Sequence, residues 1–240
     1  MYTPGYYKTN PRALTLREIV RMRGPVLFPI AYVISRFMPA QGASWMPGLW
    51  ADSECKKEEL SARFWESTAT YRQQFAQLGF RECGFSKVTR HLDRSWRDSG
   101  EVFYLDPSRS HLGMLVYAKV DPRKPIVPSV ERVAIVFTAA LHGRTISCTN
   151  NQNAFDPIPS QRVIRLSTLE LELVHQRFLA ELHNDRETPL AFPDKQSLQR
   201  WFDANQLATF ENRVRRGLFV KMTDAEVQQA LRNFPPPLPR

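Results

Sequence analysis

Glu172 and His175 have the most metal-like spacing in the chain, since they stand three positions apart in a segment with helical periodicity. Positions i and i+3 of a helix share one face, so a carboxylate and an imidazole there could hold a metal or move a proton. A di-iron carboxylate bundle needs two such motifs and two further carboxylates, whereas this sequence has one. His175 also flanks the apolar stripe of its segment, which favours a half-buried, hydrogen-bonded histidine.

Four further polar residues, His142, Arg144, Asn150 and Asn151, lie at the two ends of one predicted strand. Amide side chains can bind sugars, phosphates or peptide backbones through paired donors and acceptors. Asparagine also mimics a turn locally, so the interpretation we favour for the amides is turn chemistry. Together with His175, these residues are the candidates for a ligand pocket between sheet and helix, if the protein is an enzyme without a recognisable motif.

The motifs of the common enzyme classes do not occur in the sequence. GxGxxG, the Walker A loop, GxSxG and HExxH are all missing, so the corresponding phosphate-binding loops, nucleophile elbow and zinc helix have no signature. We therefore predict no catalytic residue, no metal site and no cofactor, and the sequence favours a non-enzymatic protein.

The positive charge of the chain is concentrated at its ends. The formal charge is +9, and residues 1–50 hold six basic residues against one acid, whereas residues 51–195 hold twenty against nineteen. In a protein that binds nucleic acid, the main domain usually carries the positive charge, whereas the body of this chain, residues 51–195, is nearly neutral. Nucleic-acid binding through residues 200–221, in the basic C-terminal helices, is therefore an alternative that we disfavour. Cations near the C-terminus of a helix stabilise the helix in any case.

The N-terminal arm, residues 1–50, is the best candidate for a contact surface. Arginines precede the apolar run 26–34, and aromatic residues lie on both sides of it. Arginines attract anionic headgroups, apolar side chains bury in the interface, and Tyr and Trp favour the headgroup level. The alternative is that the arm packs on its own domain or on a second subunit and covers a hydrophobic groove there. The candidate contact residues are Arg12, Arg17, Arg21, Arg23, Phe28, Tyr32, Trp45 and Trp50.

The apolar run of the arm is too short to span a bilayer, which needs about 20 apolar residues. Pro29 and Arg36 also interrupt it. A secretory signal peptide is disfavoured because the region that precedes the run is long and because Arg36 lies where apolar residues should continue. Three widely spaced cysteines and the lack of a glycosylation sequon fit a reducing compartment. We expect a cytoplasmic protein, with the membrane surface as a possible site.

The elements that must position these residues indicate an α+β fold. An amphipathic helix with an apolar stripe from Leu60 to Leu78 precedes about five strands, which short turns join and which should therefore pair antiparallel. The dipeptide His142-Gly143 predicts a hairpin. Flanking helices follow, so we predict an arm at 1–50, an α+β domain at 51–234 and a disordered proline-rich tail at 235–240.

Overall fold

The computed structural model describes residues 5–45, 48–87, 96–120, 130–151 and 155–233, and these form an α+β protein. The strands are β1 (Tyr7–Thr9), β2 (Gln41–Trp45), β3 (Arg81–Ser86), β4 (Trp96–Leu105), β5 (His111–Val120), β6 (Val130–Leu141), β7 (Arg144–Thr149), β8 (Gln161–Arg165) and β9 (Phe219–Lys221). The helices are α1 (Leu16–Phe37), α2 (Trp50–Ser53), α3 (Ala62–Gln77), α4 (Leu171–Asp185), α5 (Lys195–Arg215) and α6 (Asp224–Asn233).

The large sheet has six strands in the order β3-β4-β5-β6-β7-β8. Strands β3 to β7 pair antiparallel, as predicted, and β8 pairs parallel with β7. The expected purely antiparallel sheet of about five strands is thus a mixed sheet of six. The physical reason is the connection 150–160, which is long enough to return the chain to the same end of the sheet before the next strand begins.

One face of the large sheet is covered by α3 and α4. The fully buried rings that the helices contribute to this core are Phe64 and Phe75 on α3 and Phe178 on α4. Gly113 on β5 makes this approach possible, because a Cβ there would lie 2.4 Å from Cε1 of Phe75. The Phe75 ring of α3 therefore occupies the space above Gly113 that a side chain on β5 would otherwise fill.

The opposite face of the large sheet is covered by α2 and α5. Trp50 stacks on Phe103 with ring centroids 3.9 Å apart, and Phe202 of α5 packs edge-on against both rings. A Cβ at Gly84 would lie 2.1 Å from Cζ2 of Trp50, so only glycine leaves room for the indole. Both faces of the sheet are therefore buried.

The arm contributes to a second, smaller sheet with the order β2-β1-β9. Tyr7 pairs with Lys221 and Thr9 with Phe219, which joins the start of the chain to the strand that follows α5. A third core cluster lies beside this sheet and consists of Tyr7, Leu14, Ile19, Phe155, Phe210, Leu218 and Phe219. The division of the chain at residue 50 stays a prediction, and the arm contacts the segment 210–221 directly.

The arm contains two helical segments rather than one. Gly24 followed by Pro25 predicts a break in the helix, and Gly24 is non-helical there, with φ 76° and ψ 167°. The sequence did not predict that a second helical segment begins after this break and continues to Phe37. No helix in the described part of the chain is long and apolar enough to cross a membrane. The predicted tail, residues 235–240, lies outside the described residues.

Candidate functional site

The start of α1 is fixed by a capping box. The Thr15 hydroxyl accepts a hydrogen bond from the Glu18 amide at 3.2 Å, and the Glu18 carboxylate accepts one from the Thr15 amide at 2.8 Å. At the kink, Gly24 adopts φ 76°, a conformation that favours glycine. Pro25 then lies in the first turn of a new helical segment, where its missing N–H is no loss. The kink therefore sets which side of residues 25–37 faces outward.

The inner side of this second segment packs on the third core cluster. Phe28, Ala31 and Tyr32 are half-buried there, and the buried Ser35 hydroxyl donates to the Tyr32 carbonyl at 2.7 Å. The Arg36 guanidinium lies 4.4 Å from the Tyr32 ring centroid. These contacts hold the segment against the protein along one side.

The outer side is apolar and open to solvent. Its side chains are each between 52% and 84% exposed, and their spacing of three and four residues places them on one face. We define the α1 stripe as Val26, Leu27, Ile30, Val33, Ile34 and Phe37. A shallow depression within it is lined by Pro29, Ile30, Val33 and Ile34. A helix that is apolar on every side is normally covered, so this face lacks a partner among the described residues.

The charge on α1 is positive at its surface. Arg17 is exposed, and Arg21 is partly exposed while pairing with Asp156 at 2.6 Å. The only acid on α1 is Glu18, which is completely buried. A helix with an apolar stripe, exposed arginines and no exposed carboxylate can associate with a surface that is apolar and anionic.

The contact residues named from the sequence are distributed differently from expectation. Arg12 and Arg36 tie the two ends of the arm together: Arg12 Nε donates to the Met38 carbonyl at 3.2 Å, and Arg36 donates to the Arg12 carbonyl. Phe28 and Tyr32 face the protein. The side chains of Arg23 and Trp45 lie outside the described part of the structure.

Trp50 must be removed from the proposed contact surface. It is 1% exposed and lies in the core between the large sheet and α5, so it has no surface to offer a membrane or a partner. The residues that the sequence interpretation missed are those of the α1 stripe. The apolar run 26–34 would have indicated them if it had been interpreted as a helix that begins at Pro25.

His175 lies among aromatic rings. Its ring centroid is 4.8 Å from that of Phe137 and 5.6 Å from that of Phe80. Burial lowers the pKa of His175, and the nearby His111 lowers it further. Among the described residues, no group of three metal-ligating side chains is found. The structure thus gives His175 the half-buried environment that the sequence indicated.

Two of the other candidates for the ligand pocket, His142 and Arg144, stabilise the turn between β6 and β7. Arg144 pairs with Asp185 and Glu187, and the His142 amide donates to Glu187 at 2.6 Å. These contacts fasten the β6–β7 hairpin to the end of α4. They are tertiary contacts that the spacing of the sequence did not reveal.

The amide candidates at the other end of β7 act on the backbone. Asn150 Oδ1 accepts from the Ile135 amide at 2.7 Å, and the Asn151 amide donates to the Thr149 hydroxyl at 2.9 Å. Asn150 therefore continues the ladder between β6 and β7 by one side chain. This is the turn chemistry that the sequence analysis favoured for both residues.

The chain matches no family model, no curated protein and no solved structure. Its function has to be argued from its own residues.

Proposed function

We propose that the protein is a non-enzymatic, membrane-peripheral domain that docks on an anionic membrane surface in a reducing compartment through the α1 stripe. The observation that carries this proposal is the exposure of six large apolar side chains on one face of one helix. Contiguous apolar patches of this kind on a monomer mark interaction sites.

The shape of the stripe suits an interface rather than a bilayer core. An interfacial helix lies in the membrane plane and buries one face about 5–10 Å deep. The second segment of α1 presents one face outward, while Phe28, Ala31 and Tyr32 hold its other face on the protein. The helix would therefore lie flat on the membrane with its inner face still attached to the domain.

Electrostatics would complement the apolar contact. Each arginine near an anionic surface contributes about 1 kcal/mol, and the arm has six basic residues against one acid. The body offers little charge of its own, which is why we place the contact on the arm. A protein scaffold is the other surface that could cover the stripe, and the experiment below separates the two.

Deletion of the arm would be a poor test, because it removes Tyr7, Leu14 and Ile19 from the third core cluster and Trp50 from the sheet core. Loss of binding could then reflect unfolding. Substitutions of exposed side chains avoid this problem. We choose the triple variant Val26→Gln, Ile30→Gln, Phe37→Gln, whose three positions are at least 64% exposed.

The test is flotation with vesicles of phosphatidylcholine, with and without phosphatidylserine. We expect the wild-type protein to float with the mixed vesicles, and the triple variant to lose about 100-fold or more in apparent affinity, because three apolar side chains no longer bury. The matched control, Leu169→Gln, Leu173→Gln, Leu179→Gln, removes exposed leucines elsewhere and should float as the wild type does. Absence of wild-type flotation, or equal flotation of both variants, would refute membrane docking and leave a protein scaffold as the occupant.

A further inference from the structure

Arg213, in the last turn of α5, forms no salt bridge with a carboxylate among the described residues, although the negative charge of the buried Glu18 is close enough to stabilise its positive charge. Its guanidinium carbon lies 5.0 Å from the Phe155 ring centroid and 5.7 Å from that of Phe219. Its Nε is buried and has no hydrogen-bond partner in the part of the chain that the structure describes. The attraction between a cation and an aromatic ring is weaker than the free-energy cost of removing an ion from water. The two rings alone do not offset the burial.

Arg165, at the end of β8, is in a similar position. Its Nη2 donates to the Phe155 carbonyl at 2.8 Å, while its Nε is buried without a partner. Burial lowers the pKa of Arg165, and the charge of Arg21 lowers it further. Burial is also the main cause that lowers the pKa of Arg213, to about 10; the charge of Glu18 opposes this shift, whereas the charges of Arg216 and Arg165 add to it. At neutral pH both guanidinium groups are still charged, and their positive charges repel each other.

The carboxylates of this region are already engaged. Glu18 accepts hydrogen bonds from Arg216 at 2.9 Å and from the Asp156 amide at 2.8 Å, in addition to its own capping bond. Asp156 accepts from Arg21 at 2.6 Å and from the Thr15 hydroxyl at 2.8 Å. Among the described residues, the two carboxylates of Glu18 and Asp156 are therefore shared by four guanidinium groups, those of Arg21, Arg165, Arg213 and Arg216.

The structure points to an anion as the missing partner, and we propose that Arg165 and Arg213 bind a phosphate group. Phosphate oxygens accept charge-assisted hydrogen bonds from several guanidinium donors at once, and a dianion would neutralise both unpaired arginines. Both side chains are only partly buried, so part of each reaches the surface. This inference does not depend on membrane docking, because a soluble phosphate compound has the same recognition chemistry.

Two variants and one control test the site. Arg213→Met removes the charge and keeps an unbranched side chain, and Arg165→Gln removes the second charge from a different element. Arg215→Met is the matched control, since Arg215 is exposed on the same turn of α5. Replacement of a poorly compensated buried charge by an apolar side chain is often neutral or stabilising, so Arg213→Met should fold.

The measurement is thermal unfolding in sodium phosphate and in sodium chloride of equal ionic strength. At ten times the dissociation constant, phosphate should raise the Tm of the wild type by about 3 °C or more. Arg213→Met and Arg165→Gln should lose this rise, and Arg215→Met should keep it. If phosphate stabilises the wild type no more than chloride does, or if both cluster variants keep the full rise, the site is refuted.

Vesicles distinguish the two sources of phosphate. If the ligand is a lipid headgroup, Arg213→Met should float less than the wild type with vesicles containing phosphatidic acid. If the ligand is a soluble phosphate compound, the Tm response to phosphate depends on Arg213 while flotation does not. The α1 stripe variant retains both arginines, so it should keep its response to phosphate even where it no longer floats.

Discussion

The large sheet and the second segment of α1 differ in how completely they are covered. The sheet is buried on both faces, with Phe178 of α4 at 0% exposure on one side and Phe103 at 0% on the other. The α1 segment is covered on its inner side, while Phe37 on its outer side is 78% exposed. The helices cover both faces of the sheet, and the leucines that stay exposed on α4, Leu173 at 45% and Leu179 at 41%, are less exposed than any side chain of the α1 stripe. The α1 stripe needs a second surface, and that difference locates the proposed function in the arm.

The charged residues of the two regions differ in the same sense. Around the large sheet, the Arg144 guanidinium pairs with two carboxylates, and the buried polar atoms without a hydrogen-bond partner, such as Asn150 Nδ2, belong to uncharged side chains. Beside the arm, the charged side chains of Arg165 and Arg213 each have a buried Nε without a partner among the described residues. Uncovered apolar residues and uncompensated charges therefore occur in the same region, which is where external ligands have most to contribute.

The comparison can be tested with one pair of substitutions of the same residue type. Phe178→Ala leaves a cavity under the large sheet, so we expect the free energy of unfolding to fall by about 3–5 kcal/mol. Phe37→Ala removes an exposed ring, and we expect a change within about 0.5 kcal/mol. Denaturant titration measures both. A loss of several kcal/mol for Phe37→Ala would show that the stripe is covered within the protein itself.

A smaller effect should appear in the pH dependence of the free energy of unfolding, to which burial of both His175 and the nearby His111 contributes by lowering their pKa values. Because burial lowers the pKa of His175 below the ordinary 6.5, the unfolded chain binds more protons at this position than the folded protein when the pH falls below about 6.5. The free energy of unfolding should therefore fall as the pH decreases from 7 to about 5. His175→Gln should flatten this dependence, measured by urea titrations across that range. An unchanged slope would show that His175 is not responsible.

Much of the body could be predicted from the sequence because its signals are local. The stripe of Phe64 and Phe75 indicated α3, and both residues are fully buried. The dipeptide His142-Gly143 indicated a hairpin, and β6 and β7 pair there with Gly143 at φ 77°. The parallel orientation of β8 relative to β7 could not be predicted, because it depends on the path of the connection 150–160.

The candidate site was harder to predict because its orientation is not local. The sequence selected the arm, yet it named Phe28 and Tyr32 rather than Ile30 and Phe37 as contact residues. Which residues of an apolar run face outward depends on the rotation at Gly24 and on the third core cluster, and Phe155 and Phe219 reach that cluster from distant parts of the chain. The proximity of Arg165 to Arg213 could not be predicted from the sequence for the same reason.

The most direct test of membrane docking is quenching of a tryptophan placed on the α1 stripe by brominated lipids. We would compare Ile30→Trp with wild type and with Thr70→Trp, an exposed position on α3. Phosphatidylserine-containing vesicles with brominated acyl chains should quench the additional fluorescence of Ile30→Trp strongly and leave that of Thr70→Trp unaffected, because only the stripe enters the interface. Equal quenching of the two variants, or none in Ile30→Trp, would contradict the docking of the α1 stripe on the membrane.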